Sequence, residues 1–180
     1  GGSGPSAETE TWNGTNWTEV NDMNAARVIL AGDGTSTSSL AFGGSAPPNT
    51  NATESWNGTN WTIVNTLNTA RGALAGAGAD STSSLAFGGS ASPRQQTELW
   101  NGSTWTNVNG LGTGRTYVTG TGIATAALAI GGEVPPNTGK TEEWNGTNWT
   151  EVADLASARN DLGSSGTTTA ALAFGGATPP

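Results

Sequence analysis

The 180-residue chain carries 14 acidic and 6 basic residues, has a formal net charge of −8, and contains no cysteine and no histidine. These counts exclude disulfides, cysteine-ligated metals and histidine-based catalysis, and they leave few cations for binding nucleic acid. No stretch approaches the roughly 18 apolar residues of a membrane-spanning helix. We therefore expect no cofactor, no metal site, no nucleic-acid partner and no membrane insertion.

The first residues, Gly1-Gly2-Ser3-Gly4-Pro5, have the composition of a flexible linker. We expect residues 1–8 to form a linker-like start and residues 9–180 to form one domain, which the length also suits. No signal peptide is visible. The sequence assigns no compartment and is compatible with a virion-associated or a recombinant soluble protein.

Tryptophan reveals an internal repeat. One Trp recurs every 44 residues, and a second follows each of them five positions later. All eight Trp of the chain belong to this pattern: Trp12, Trp17, Trp56, Trp61, Trp100, Trp105, Trp144 and Trp149. A period of this length is typical of solenoids, propellers and other repeat arrays.

The apolar runs within each repeat are short and end at Gly, Asn, Ser or Pro, a pattern typical of strands and turns. Four strands fit each unit. In the second repeat the predicted strands are, in chain order, Thr53–Trp56, Trp61–Val64, Arg71–Gly76 and Ser83–Phe87.

The first two of these strands are expected to form a hairpin. Asn57-Gly58 begins the loop between them, and Asn-Gly is a strong hairpin signal because both residues tolerate positive φ. Trp56 and Trp61 flank this loop, so we expect them to be cross-strand neighbours that stabilise the hairpin.

Length differences between repeats predict where loops lie. The second repeat has one extra residue between Gly78 and Leu85, and one fewer between Gly89 and Glu98, than the first repeat has at the equivalent positions. Insertions and deletions are tolerated best in loops. Both positions are therefore predicted to lie between strands.

The order of residues resembles the kelch repeat. A strand ends in Gly-Gly, a Glu follows two residues before Trp, and an Arg precedes the next strand. The Gly-Gly pairs are Gly43-Gly44, Gly88-Gly89, Gly131-Gly132 and Gly175-Gly176. The resemblance covers Thr9 to Gly176 and implies an all-β fold, a β-propeller built of four-stranded antiparallel blades.

Two further comparisons qualify this resemblance. Some kelch-type propellers carry a copper site built with Tyr and His, but this chain has no His and the single Tyr117, so the resemblance extends to the fold alone. The amino-acid sequence of the repeat also resembles Trp-Asn-Gly-Thr repeats of phage and metagenomic tail-like proteins. An engineered or excised version of such a protein fits the linker-like start.

Closure of the propeller is predicted to use both ends of the chain. The segment Thr9–Val20 supplies two strands of a blade, and Asn160–Gly176 supplies the other two, which removes exposed sheet edges. We favour a four-bladed monomer, since the predicted inner strands are rich in Gly and Ala and the bulky Trp residues lie in the outer hairpins. The alternative is a homodimer that forms one eight-bladed ring.

Charged residues also follow the period. Glu10, Glu54, Glu98 and Glu142 lie two residues before the first Trp of each repeat, and Arg27, Arg71, Arg115 and Arg159 lie fifteen after it. We expect one structural Glu–Arg pair per blade, with Arg71 pairing with Glu54, because the planar guanidinium suits buried carboxylates and carbonyls. The functional alternative is a ring of polar groups that binds a ligand at the axis.

Other candidate sites are weaker. The Trp pairs suit stacking against sugars, but we expect them to pack between blades. Asp33 and Asp80 are residues of a type that binds calcium, but no calcium-loop spacing surrounds them. Glu142 and Glu143 are adjacent on a predicted strand and face opposite sides, so they cannot act as a glycosidase pair. We therefore assign no catalytic, cofactor-binding or metal-binding residue.

These observations favour a non-enzymatic propeller that acts as a scaffold or interaction module, with an unidentified protein or glycan as its partner. The alternative is a carbohydrate-binding lectin with one site per blade. A ligand is expected on the face that carries the Pro-containing loops Ser45–Asn51, Ser90–Gln96 and Glu133–Lys140, because these segments vary most between repeats. Arg94 and Lys140, the two basic residues outside the repeated Arg set, lie on these loops.

Overall fold

The computed structural model describes residues 4–179, and the fold over this range is all-β. The all-β part of the prediction is therefore confirmed. Gly1, Gly2 and Ser3 of the linker-like start, and Pro180, lie outside the described residues. No helix in residues 4–179 has the length and apolar character needed to cross a membrane.

Sixteen strands occupy the described part of the chain. In chain order they are β1 (Glu10–Trp12), β2 (Trp17–Glu19), β3 (Ala31–Thr35), β4 (Ser38–Phe42), β5 (Thr53–Trp56), β6 (Trp61–Val64), β7 (Ala75–Asp80), β8 (Ser83–Phe87), β9 (Thr97–Trp100), β10 (Trp105–Val108), β11 (Thr119–Ile123), β12 (Ala126–Ile130), β13 (Thr141–Trp144), β14 (Trp149–Val152), β15 (Gly163–Gly166) and β16 (Ala171–Phe174).

The strands form repeated antiparallel sheets of a propeller-like fold. Three sheets have four strands each, in the orders β3-β4-β5-β6, β7-β8-β9-β10 and β11-β12-β13-β14; we call them the first, second and third blades. Two further sheets have two strands each. We call β1-β2 the N-terminal half-blade and β15-β16 the C-terminal half-blade.

The predicted Trp hairpin is confirmed. Trp56 lies directly opposite Trp61 in the β5–β6 register, and their ring centroids are 5.4 Å apart. In the turn, Gly58 takes a positive φ of 91°, whereas the Asn57 side chain accepts hydrogen bonds from the backbone N–H groups of Thr59 and Asn60 at 2.9 Å. Asn therefore contributes its side-chain acceptor, and only Gly uses the left-handed conformation.

The predicted inner strand Arg71–Gly76 is displaced along the chain, because β7 runs from Ala75 to Asp80. Ala73 leaves the strand conformation with φ 52°, and its N–H donates to the carbonyl of Ile29 at 2.9 Å, outside its own sheet. The alternating Ala and Gly that follow were expected to lead into a turn. They instead continue the strand.

The extra residue of the second repeat lies in a strand rather than in a loop. Gly78 pairs with Ser84 and Asp80 pairs with Ser83, so Ala79 is left over as a β-bulge near the end of β7. The predicted placement between strands is wrong here. A bulge at the end of a strand accommodates one residue because only the last pair before the turn is displaced.

The core lies between successive sheets. Phe42 of the first blade packs edge-on against Trp105 of the second with ring centroids 5.0 Å apart, and Phe87 of the second blade packs against Trp149 of the third at 4.9 Å. The inner strands approach closely at glycine: a Cβ placed on Gly120 would lie 2.5 Å from Phe87 Cζ and 2.7 Å from the carbonyl oxygen of Gly76. Each blade is thus held by its neighbour, as expected for a propeller.

The two half-blades are separate sheets in the single chain. The inner strands pack in series, β3 against β7, β7 against β11 and β11 against β15, while the predicted pairing of Thr9–Val20 with Asn160–Gly176 is not formed. Consequently Trp12 is 49% exposed and Trp17 is 65% exposed, although Trp100 and Trp144 of complete blades are buried. We call the series of sheets from β1-β2 to β15-β16 the arc; its two half-blades share no strand pairing.

Part of the expected linker-like start belongs to this arc. The Arg27 N–H donates to the carbonyl of Ser6, and the Met23 N–H donates to the carbonyl of Ala7. The Arg71 N–H and the Leu67 N–H make the same contacts one repeat later, with Thr50 and Asn51. Ser6 and Ala7 therefore occupy the place that the end of a Pro-containing loop takes in the next repeat.

The close approach at Gly120 generates a stability prediction. A Val side chain there would overlap the Phe87 ring and the Gly76 backbone, so Gly120→Val is expected to destabilise the protein by about 1–3 kcal/mol or more. Chemical denaturation monitored by Trp fluorescence measures the change. The control is Gly4→Val, because a Cβ at Gly4 would meet no atom within 4 Å. It is expected to leave stability unchanged; equal effects of both substitutions would contradict the packing argument.

Candidate interaction face

The repeated charges form one buried ion pair in each complete blade. Arg27 lies 3.2 Å from Glu54, Arg71 lies 2.6 Å from Glu98, and Arg115 lies 2.6 Å from Glu142; all six side chains are buried. The predicted pairing of Arg71 with Glu54 is wrong. Both residues fall in one sequence repeat, but the blade that contains Arg71 takes its third strand from the following repeat.

Each carboxylate of these pairs also holds the backbone of the segment that enters the blade. Glu54 accepts the N–H of Asn24 at 2.7 Å, and Glu98 and Glu142 accept those of Asn68 and Gly112 at 2.6 Å. Each guanidinium in turn donates to a carbonyl of the second strand, that of Ala41, Ala86 or Ala129. Burial lowers the pKa of Arg71, and the Glu98 carboxylate opposes that shift. The charged groups of these pairs are therefore engaged in contacts within the blades.

Two residues after each Arg, the chain adopts a left-handed conformation at the axis of the arc. Ile29, Ala73, Tyr117 and Asp161 have φ values of 49°, 52°, 50° and 56°, and none of them is Gly. Together with the residue that follows each of them, they line a small cavity of about 100 Å³. We call these four residues the axial residues.

Backbone hydrogen bonds join the axial residues in sequence around the axis. The Ala73 N–H donates to the Ile29 carbonyl at 2.9 Å, the Tyr117 N–H to the Ala73 carbonyl at 2.9 Å, and the Asp161 N–H to the Tyr117 carbonyl at 3.0 Å. The backbone is thus fixed at each position. The side chains differ completely from one repeat to the next.

The Pro-containing loops border the axial residues. Ser45 exchanges two backbone hydrogen bonds with Val28, Glu133 does the same with Thr116, and the Ser90 N–H donates to the carbonyl of Gly72. In every case the partner is the residue before an axial residue. The loops and the axial residues therefore form one continuous surface, which we call the axial face.

Sequence reasoning found the loops of this face but missed the axial residues. A signal was present: the two residues after each Arg are Val-Ile, Gly-Ala, Thr-Tyr and Asn-Asp, whereas the Arg itself never changes. This variation was missed because the residues were assigned to the predicted strand Arg71–Gly76, in which successive side chains point to alternate faces of a sheet.

Neighbouring loops also contact one another. The Asn49 side-chain amide donates to the hydroxyl of Ser90 at 2.8 Å, and the Asn137 amide donates to the carbonyl of Ala177 at 2.9 Å. Lys140 forms an exposed ion pair with Glu151, which raises the pKa of Lys140. Arg94 is exposed.

The remaining sequence candidates are dispersed in the structure. Asp80 is half-buried and accepts hydrogen bonds from Thr82 in the β7–β8 turn, and Asp33 lies on the inner strand β3. Glu142 is buried in its ion pair, while its neighbour Glu143 is half-buried on the other side of β13. Over residues 4–179, no cluster of three or more acidic side chains has the arrangement of a metal site.

Asp33 has the most perturbed environment of these residues. It is half-buried, with its carboxylate beside Gly76 and Gly78 of β7, and Ser84 donates a hydrogen bond to it at 2.6 Å. Burial raises the pKa of Asp33 to about 7, the Ser84 hydrogen bond opposes this, and the charge of Asp80 adds to it. Asp33 therefore gains a proton within the ordinary working range of pH.

The Trp residues of complete blades are engaged in packing. Trp56, Trp100 and Trp144 are buried, and each indole N–H donates to a carbonyl of the turn between the first and second strands of its blade. Trp105 and Trp149 donate to the hydroxyls of Thr53 and Thr97 in the preceding blade. The expected packing of Trp between blades is confirmed for Trp100, Trp105, Trp144 and Trp149.

No protein-family model and no curated protein matches this chain.

The blade-internal ion pairs generate a coupling prediction. Arg71→Met would leave the buried Glu98 carboxylate without its cation, a loss that typically costs about 3–5 kcal/mol. A double-mutant cycle with Glu98→Gln is expected to show strong coupling in the free energy of unfolding. The same cycle between Arg71→Met and Glu54→Gln is the control, and coupling there in place of the first would contradict the observed pairing.

The environment of Asp33 generates a pH prediction. Its folded-state pKa of about 7 lies above the usual 3.8, so between about pH 4 and pH 7 the folded state keeps a proton that the unfolded state has lost. Stability should therefore fall as pH rises through this window, by roughly 2–4 kcal/mol from this group.

Asp33→Asn should remove this part of the pH dependence and stabilise the protein at pH 8 while changing little at pH 4. Urea denaturation at both pH values measures the difference. The exposed carboxylate variant Glu19→Gln is the control and should retain the wild-type slope; an unchanged slope in Asp33→Asn would refute the assignment.

Proposed function

We propose that the chain is a non-enzymatic, kelch-type β-propeller scaffold or interaction module that binds a protein or glycan through its axial face. The observation that carries the proposal is the set of axial residues. Four non-glycine residues of different chemistry are held in the left-handed conformation around one small cavity.

The conformation of these residues is costly. A non-glycine residue in the left-handed region typically costs about 1–3 kcal/mol, and a β-branched residue such as Ile29 is an outlier there. Glycine would fit the same backbone without this strain. The side chains of Ile29, Tyr117 and Asp161 therefore support a role that glycine could not perform, and strain of this kind concentrates at binding and catalytic sites.

The bordering loops support the same role. They differ in sequence between repeats, while the strands beneath them are held by the same ion pairs and Trp contacts. Loops on a rigid scaffold change without disturbing the blades, which is the arrangement that many recognition surfaces use. The repeated residues thus hold the blades together, and the residues that vary between repeats lie on the axial face.

The charged groups favour binding over catalysis. Glu54, Glu98 and Glu142 are engaged by Arg and by backbone N–H groups, so their carboxylates are directed into the blades. Asp33 is half-buried and accepts a hydrogen bond from Ser84. None of these carboxylates faces the axial cavity, where Asp161 alone supplies an acidic group.

The lectin alternative, with one Trp-based site in each blade, receives less support from the geometry. A stacking platform needs an open ring face, and Trp56, Trp100 and Trp144 are buried. A glycan held by the loops and the axial residues remains an outcome of the binding experiment described next.

The proposal predicts that ligand binding depends on the axial face. The chain is screened on a glycan array and against a displayed peptide library, and each hit is measured by titration. A variant with Ile29, Tyr117 and Asp161 all replaced by Ala, matching Ala73, should lose at least tenfold in affinity. Replacing Pro93–Gln96 by the segment Pro48–Asn51 should weaken hits that contact the second loop.

The matched control carries Thr15→Ala, Thr59→Ala and Thr147→Ala in the exposed Asn-Gly turns, at the opposite ends of the strands. It should bind as the wild type does. Hits that survive in the axial variant and disappear in the turn variant would place the interaction on the other face and overturn the proposal.

A further inference from the structure

We propose that a second copy of the chain completes the half-blades: β16 of one copy pairs with β1 of its partner, twice, so that two chains close one ring of eight blades. Six blades then lie within single chains and two are shared. The inference concerns assembly and does not rest on the proposed binding function.

The complete blades supply the register of this pairing. In the first blade, β4 pairs with β5 through Phe42 opposite Thr53, Ala41 opposite Glu54 and Leu40 opposite Ser55. The second blade repeats this register with Phe87 opposite Thr97. Applied to the two half-blades, the same register places Phe174, Ala173 and Leu172 of one copy opposite Thr9, Glu10 and Thr11 of the other.

The shared blade also joins complementary charges. In the three complete blades, an Arg pairs with the Glu that lies 27 positions later. Arg159 occupies the fourth Arg position, and among residues 4–179 it has no carboxylate partner; it donates instead to the carbonyls of Gly175 and Ala173. Glu10 is the matching exposed carboxylate, and the proposed pairing brings it to Arg159.

The apolar surfaces match in the same way. Phe174 is 56% exposed and Leu172 is 71% exposed, whereas their counterparts Phe42 and Leu40 are buried against the next blade. On the other side of the arc, an open groove of about 480 Å³ includes Gly32 and Trp61. Phe42 contacts the equivalent Gly76 and Trp105, so Phe174 of the partner fits this groove.

The axial hydrogen bonds point to the same closure. Three bonds connect Ile29, Ala73, Tyr117 and Asp161 in order. Their open ends are the N–H of Ile29 and the carbonyl of Asp161. In the two-chain ring, the Ile29 N–H of one copy donates to the Asp161 carbonyl of the other, and eight axial residues, four from each copy, surround the opening.

Closure between copies is favoured over closure within one chain by the packing at the axis. The inner strands already approach until a Cβ at Gly120 would lie 2.7 Å from the carbonyl oxygen of Gly76. Joining the half-blades of a single chain requires a sharper angle at every inner contact, which would force these backbones closer together. A second copy fills the gap without changing any contact in the arc.

The absence of cysteine makes this pairing directly testable. The two strands would place Thr11 and Leu172 opposite each other, within the Cα separation of about 4.5–5.5 Å of antiparallel partners that a disulfide can bridge. Thr11→Cys and Leu172→Cys are prepared as separate chains, mixed, and oxidised in a glutathione buffer. The in-chain pair Leu40→Cys with Ser55→Cys is the positive control for the geometry.

The proposal expects the mixed chains to form a covalent heterodimer on non-reducing gels, while either variant alone forms none. Light scattering should show twice the mass of one chain for the wild type. Phe174→Asp should return the protein to a monomer with its other blades folded, whereas Ile63→Asp, at a site that is 66% exposed beside Gly102 and Ser103 of the second blade, should remain a dimer.

Three results would overturn the proposal. One is a doubly substituted Thr11→Cys, Leu172→Cys chain that crosslinks only within itself and stays monomeric, which would show the four-bladed closure. Another is failure of the mixed chains to crosslink when the Leu40 and Ser55 control succeeds. The third is a larger assembly, which would show that the head-to-tail contact does not close after two copies.

Discussion

The buried ion pair of each complete blade is the constraint on which the rest of the arrangement depends. Glu98, for example, lies on the third strand and receives both the Arg71 guanidinium and a backbone N–H from the connection between blades. A carboxylate withdrawn from water is stable only with such partners, so the connection cannot move independently of the strand. Because Ala73 follows Arg71 by two residues, its position at the axis is fixed by the same contact.

The sequence predicted the outer part of each blade well and the inner part poorly. Hairpins such as that from Trp56 to Trp61 can be predicted from the local sequence, because an Asn-Gly turn and two facing aromatic residues stabilise a hairpin without contacts from elsewhere in the chain. The inner strand β7 depends on neighbouring blades. Its alternating Ala and Gly are small enough for the backbones of adjacent inner strands to approach each other. The partner of Arg71 was missed for a related reason: a blade is offset from the sequence repeat, and the offset becomes visible only when the strands are assembled.

Repeated and variable residues are separated in space. In the complete blades, the recurring residues, namely the Glu–Arg pairs and the Trp, lie within and between the blades and make equivalent contacts. The residues that differ, such as Tyr117 and Asp161, lie at the axis beside the Pro-containing loops. Sequence comparison between repeats could therefore locate the loops of the candidate face. It also shows that the residues after each Arg differ, but it does not show that they line one cavity, because their left-handed backbone depends on contacts between blades.

The bulge at Ala79 shows where the blade tolerates added chain. One extra residue within a strand would normally turn every following side chain to the opposite face, yet Leu85 and Phe87, which follow the bulge, remain in the core and the Trp100 indole still donates to the carbonyl of Ser81 at 2.9 Å. The added length is absorbed at the end of β7 that lies away from the axial residues. The β7–β8 turn is accordingly a natural point for grafting: a foreign peptide inserted between Ser81 and Thr82 would be displayed at the strand ends opposite the axial face, on a blade that already accommodates an insertion.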